Sequence, residues 1–189
     1  MFKIEKDLKY LLSLYEKVYA KNEVRIKKSL DRVTRALHCQ RVDRVPVWQV
    51  SQTALYPRHE IFYSTEKNLI TQLANIILTL SHKTDYVPYL DPFEGVTILA
   101  EAFGCPVEIP LNGDPWVKEP IIRNPDDVYK IKKPDKNNKV YRRVLRTLKF
   151  FEREVDYQIP VGVTDPQGPL DVASLIWDNQ SFLIACVMN

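Results

Sequence analysis

Three short runs rich in β-branched and aromatic residues, each followed by a stretch of helical period, constrain this chain more than any other feature. They are Val45-Pro46-Val47-Trp48-Gln49-Val50, Asp85-Tyr86-Val87-Pro88-Tyr89-Leu90-Asp91 and Ile159-Pro160-Val161-Gly162-Val163. The first lacks a helical period and reads as a buried strand, with Pro46 near its start, where a missing N–H does least harm. Between the first two, Leu69, Leu73, Ile76, Ile77 and Leu80 share one face of a helix predicted over about 65–81, capped by Ser64 or Thr65. Between the last two, a helix predicted over about 139–155 turns Val144, Leu145, Leu148 and Phe151 inward. This alternation is the order of βαβ units around a parallel sheet. Three strands cannot close a barrel, so the predicted fold is an α/β chain that stops before completion.

The remaining elements fit around that frame. Leu8, Leu11, Leu12, Tyr15, Val18 and Tyr19 predict an amphipathic helix over 7–20, and Asn22 is placed to cap a second helix to about Leu37 with a basic face. These N-terminal helices are assigned to residues 1–40, packing on the α/β body of 41–189. A helix over about 93–103 should close at Gly104. Four prolines between Cys105 and Arg123 predict an irregular stretch outside the core. Asn124-Pro125-Asp126-Asp127 is a helix start, with Pro in the first turn and acids at the positive end of the dipole. Further helices are predicted through Ala173 to Trp177 and over 181–189.

Several classes of function are excluded on composition. With 27 Lys and Arg against 24 Asp and Glu, the net charge of +3 is too small to act as a field that gathers nucleic acid or anionic lipid. The N-terminus lacks a signal-peptide pattern and no apolar run nears the length of a membrane span, so the expected location is cytoplasmic. Cys39, Cys105 and Cys186 are far apart and form no C-x-x-C pair, which argues against a disulfide framework or a local zinc knuckle. With 5 glycines and no Gly-rich phosphate loop, nucleotide-binding readings fail.

In parallel α/β folds, reacting groups project from the C-terminal ends of strands, where the loops face a common cavity. Here those ends supply Gln49, Ser51 and Gln52, then Asp91 and Glu94, then Asp165 and Gln167. One reading is a pocket in which Asp91 or Asp165 works as a general acid or stabilises positive charge while the amides orient a polar ligand. The other is that each aspartate caps the next helix or closes an Asx turn.

Four ordered stretches carry a resemblance: Asp43-Arg44-Val45-Pro46-Val47-Trp48; Glu101-Ala102-Phe103-Gly104-Cys105-Pro106-Val107-Glu108; Asn124-Pro125-Asp126-Asp127-Val128; and Gln167-Gly168-Pro169-Leu170. Together they resemble the uroporphyrinogen decarboxylase superfamily, from about Arg25 onward. That superfamily is a (β/α)8 TIM barrel comprising haem-pathway decarboxylases and corrinoid-dependent methyltransferases. The resemblance implies an N-terminal part of such a barrel, cut after about three strands.

Decarboxylases in this superfamily clamp a polycarboxylate with two arginines after strand one, and the matching positions here are Ser51 and Leu55. Losing bidentate donors disfavours a polyanion, although Arg58 lies nearby as a possible substrate-binding substitute. Asp91 matches the aspartate that stabilises a protonated pyrrole, with Glu94 competing for the assignment. The methyltransferase branch holds zinc with His and Cys ligands in the second half of the barrel and works with a corrinoid protein. The resemblance therefore implies a methyltransferase-like fragment, inactive alone, acting on a small molecule; zinc and a corrinoid follow only on that reading, and no cofactor is expected in this chain. The alternatives are a decarboxylase with altered clamps, and a non-catalytic fragment that self-associates or needs a complementing chain.

Overall fold

The computed structural model describes residues 4–188; residues 1–3, and Asn189 at the end of the predicted last helix, lie outside the described residues. From Ile4 to Leu37 no glycine or proline interrupts the chain, and these residues form one helix, α1, in place of the two predicted. Asn22 does not cap: its Nδ2 donates to the Val18 carbonyl at 2.9 Å, back over the preceding turn. Tyr15 and Ile26 are buried in the main core, with Leu8, Leu11, Leu12, Val18 and Tyr19 packed against it. Farther along, Arg25, Ser29 and Arg32 occupy the inward face with polar contacts, which leaves Val24, Leu30 and Leu37 exposed on the flanks.

After a short α2 (Glu60–Tyr63), α3 spans Thr65–Leu80, and the Ser64 hydroxyl accepts from the Lys67 N–H as its cap. It carries Leu69, Leu73, Ile76 and Leu80 into the core beside Tyr86, Leu90, Phe151, Val155 and Ile159. The next helix, α4, covers only Ile98–Ala102. It starts later than predicted because Gly95 takes a left-handed φ of +86° and turns the chain, while Gly104 at +107° ends it as expected. The proline-rich stretch is not irregular throughout: β1 (Val107–Glu108) and β2 (Trp116–Val117) pair antiparallel, and Cys105 and Ile122 join a second core with Ala100, Val172 and Ile176. A 3-10 turn, Pro125–Lys130, follows, with Asp127 Oδ2 accepting from the Arg123 and Asn124 N–H groups. Helix α5 (Lys139–Glu154) buries Val140, Thr147 and Phe151, a stripe that leaves Leu145 on the flank at 52% exposure, contrary to its predicted inward position. The described chain continues through α6 (Pro169–Ile176) and α7 (Asn179–Met188).

Of the three predicted strands, the second and third meet in parallel at one bridge, and the first touches the second through one backbone bond. The Asp85 N–H donates to the Val47 carbonyl at 2.7 Å. Leu90 and Val161 form a single parallel bridge, through bonds from Leu90 N–H to Pro160 O (2.8 Å) and Gly162 N–H to Leu90 O (2.7 Å). The first run is not a buried strand: Val45, Val47, Trp48 and Val50 are exposed. Pro46, Pro88 and Pro160 each remove a ladder donor within these runs.

Helix α3 supplies the missing bonds. Thr79 Oγ1 accepts from the Ser51 N–H (2.9 Å) and Asn75 Oδ1 from the Thr53 N–H (2.7 Å). Gln72 brackets Asp91, accepting from its N–H at 2.6 Å while donating to its carbonyl. Asn68 Nδ2 donates to the Phe93 carbonyl at 3.0 Å. Positions 68, 72, 75 and 79 therefore make a polar stripe that holds the exits of two extended segments.

The entrances are held by Asp85, a carboxylate 1% exposed. It accepts from Ser29 Oγ, Arg32 Nη1, both Arg44 Nη atoms and the Val47 N–H at 2.5–3.2 Å. Burial alone would raise this carboxyl, but Arg44, the Val47 amide and Arg32 together hold it down at about 2. Arg32 also meets Asp43 at 2.7 and 2.9 Å, so the Asp43-Arg44 pair is an anchor for the chain entering the first extended segment. Among the described residues no helix is long and apolar enough to cross a membrane.

Candidate functional site

The exits held by α3 open onto a groove of about 370 Å³. Its wall includes Gln52 from the first segment, Arg58 from the loop before α2, and Tyr86, Tyr89 and Asp91 from the second segment. Asn68, Gln72 and Asn75 present their amides from α3. Of the residues named from the sequence, the structure brings Gln52, Arg58 and Asp91 together here.

Asp91 has the most distinctive environment. Its backbone is fixed by Gln72, yet its Oδ1 is buried without a hydrogen-bond partner among the described residues. Burial, and then the charge of Asp165, push its carboxyl above the ordinary aspartate value. A half-buried acid of this kind retains a proton to higher pH, and once ionised it presents a poorly solvated negative charge. Tyr86 is pushed up to about 12 by burial, and Tyr89 is raised by burial and by the Asp91 charge, so both phenols stay protonated beside it.

Arg58 is the cation in this lining, and its charge is already engaged. Its guanidinium pairs with Asp114 at 2.6 Å and lies 5.4 and 5.6 Å from the ring centres of Phe62 and Phe93. His59 Nδ1 reaches the Leu111 carbonyl at 3.0 Å, so the hairpin loop is attached to this corner twice.

The other predicted residues lie elsewhere. Gln49 is exposed and is not part of the groove wall. Ser51 turns to α3 and its end: its N–H meets Thr79 and its hydroxyl is 2.9 Å from His82 Nε2. Glu94 faces α5, where Arg143 Nε (2.8 Å) and Thr147 Oγ1 (2.5 Å) bind it and Arg143 also forks onto Glu101. Burial alone would lower the Arg143 guanidinium, but the two carboxylates overcome this and raise it. Glu94 thus ties the loop before α4 to α5. Asp165 accepts from the N–H and Nε2 of Gln167 at 2.9 and 2.8 Å, the Asx turn that Asp-Pro favours, and it influences Asp91 only through its charge.

Sequence reasoning missed the α3 amides. The available signal was Asn68, Gln72 and Asn75 at i, i+4 and i+7, interleaved with an apolar face where a polar residue needs a partner.

No group of three or more His, Cys, Asp or Glu among the described residues is arranged to hold a metal ion. His38, His59 and His82 have partners in Thr34, Leu111 and Ser51, and Cys105 is buried while Cys39 and Cys186 are exposed. These residues do not fit the zinc set expected of the methyltransferase branch.

Comparison with known proteins supplies the context for this geometry. Residues 28–186 match the family model described as uroporphyrinogen decarboxylase (URO-D). Among solved structures, a methyltransferase from Methanosarcina mazei is similar, with a TM-score of 0.54, 24% sequence identity and 81% of this chain covered. The chain spans 46% of the length of that methyltransferase. No curated protein matches significantly.

Proposed function

Because the chain belongs to the uroporphyrinogen decarboxylase family, we propose that the groove at Gln52, Arg58 and Asp91 is part of a small-molecule site of the methyltransferase-like kind, not a clamp for a polycarboxylate porphyrinogen. The observation that carries this reading is the charge balance of the groove. Arg58 is paired with Asp114, Asp91 adds negative charge, and the remaining polar wall is uncharged amide, hydroxyl and phenol. A polyanion entering such a groove would lose hydration without gaining the paired guanidinium contacts that offset it. A neutral or cationic ligand meets amides that orient it and a carboxyl that donates a proton or stabilises developing positive charge.

The likeness to a methyltransferase supports a barrel-type fold, and this chain matches less than half of that protein's length. We therefore assign the complete reaction to a larger barrel in which these residues form one side of the cavity, with a complementing segment or chain and a corrinoid protein as partners. Zinc belongs, on this reading, to that complement, and no step is assigned to it here.

Fluorescence titration with uroporphyrin and with its octamethyl ester tests the charge argument. Weak binding without preference for the free acid is expected. Tight, salt-sensitive binding of the free acid that is lost in Arg58→Ala would overturn the reading. A decarboxylase with altered clamps is the second reading, favoured by Asp91, since a desolvated carboxylate would stabilise a protonated pyrrole. Carbon dioxide release from uroporphyrinogen by the completed barrel would select it.

A further inference from the structure

We infer that a second cleft, between α4, α5 and residues 133–136, binds an amphipathic carboxylate of the fatty-acid class. The cleft has a volume of about 500 Å³ and shares no lining residue with the groove at Asp91. That volume lies within the range of small-molecule pockets, about 300–1,000 Å³.

Three features of its wall select the ligand. Ile98 and Leu99 of α4 face Tyr141, Val144 and Leu145 of α5, so the body of the cleft is apolar, and Leu145 is 52% exposed there although it lies on a helix whose other exposed residues are mostly charged. Lys133 and Lys136 belong to the same wall, and neither forms an ion pair with a described residue. Thr164 completes it: the residue is 8% exposed and its buried hydroxyl has no partner among the described residues.

An apolar wall with unpaired cations calls for a ligand that is apolar over most of its length and anionic at one end. Burial of an alkyl chain against Leu99, Val144 and Leu145 supplies affinity, and the lysines orient the carboxylate. The Thr164 hydroxyl remains to hydrogen-bond an oxygen of the ligand.

The test is titration of the full chain with dodecanoate and dodecanol below their aggregation concentrations, read by calorimetry and by shifts of the Val144 and Leu145 methyl resonances. Dodecanoate is expected to bind and to raise the melting temperature, with dodecanol about tenfold weaker or worse. Lys133→Gln with Lys136→Gln should remove that preference while leaving dodecanol binding unchanged, and Leu145→Asp should weaken both. Lys139→Gln with Lys149→Gln, outside the cleft, serves as the control for general charge. Equal affinity for the two ligands, or dodecanoate binding indifferent to the Lys133 and Lys136 changes, would overturn the inference. So would sedimentation showing that the cleft is covered by a second copy of the chain, with Leu145→Asp dissociating the pair.

Discussion

Replacing Asp85 with alanine removes one acceptor that serves five hydrogen bonds, from Ser29, Arg32, Arg44 twice and the Val47 N–H. Taking away one partner of a buried ion pair costs about 3–5 kcal/mol, because the surviving charge stays desolvated. Two facts place this case at the lower end: Arg32 keeps Asp43, and the Arg44 side chain is 48% exposed and can turn to water. A loss of about 3 kcal/mol is a large share of the roughly 5–15 kcal/mol that stabilises a typical domain, and it corresponds to a melting point about 6–12 °C lower at this size. Urea unfolding followed by circular dichroism at pH 7 measures it. The folded Asp85 carboxyl lies at about 2, below its unfolded value, so its contribution is present above the ordinary aspartate range and is lost as pH falls through about 2. The gap between wild type and Asp85→Ala should therefore narrow on acidification. A loss under about 1 kcal/mol at pH 7, or a gap that does not narrow, would refute the account of Asp85 as the anchor of the segment entrances.

Gln72→Ala should cost about 1–3 kcal/mol by orphaning the Asp91 N–H and carbonyl, and should speed hydrogen exchange at the Asp91 amide; unchanged exchange contradicts the bracket. Asp91→Asn should raise the melting temperature at pH 7 and leave it unchanged at pH 3. The Asp91 carboxyl is raised in the folded state, so folding loses stability as pH rises through that value, and destabilisation of the variant at pH 7 would contradict this. Asp114→Asn frees the Arg58 guanidinium, and binding of citrate to the groove, followed by calorimetry, should become measurably tighter and more salt-sensitive than in wild type. No change would mean that Asp114 does not neutralise the groove.

Where local chemistry decides an element, the sequence was legible. Ser64 and Gly104 mark boundaries of α3 and α4 because a cap is satisfied by its own neighbours. Asn22 misled because the same amide that can cap a helix can also bond backward within one. The extended runs were legible as apolar segments but not as a ladder, since pairing depends on where distant groups sit: Leu90 needs Pro160, seventy residues on. The site divided in the same way. Asp91 and Gln52 reached the groove because segment exits point there, whereas Glu94 was claimed by Arg143 of α5, a partner no local pattern announces.

The polar stripe on α3 has a mechanical consequence. Positions 68 to 79 span about 16 Å along a single rigid axis, and they grip the first extended segment at Ser51 and Thr53 and the second at Asp91 and Phe93. Two walls of the groove are thus bolted to one shaft, so a movement of α3 carries Thr53 and Asp91 with it. Inserting one residue between Gln72 and Asn75 would turn the two grips about 100° out of phase, parting the walls while α3 itself remains helical.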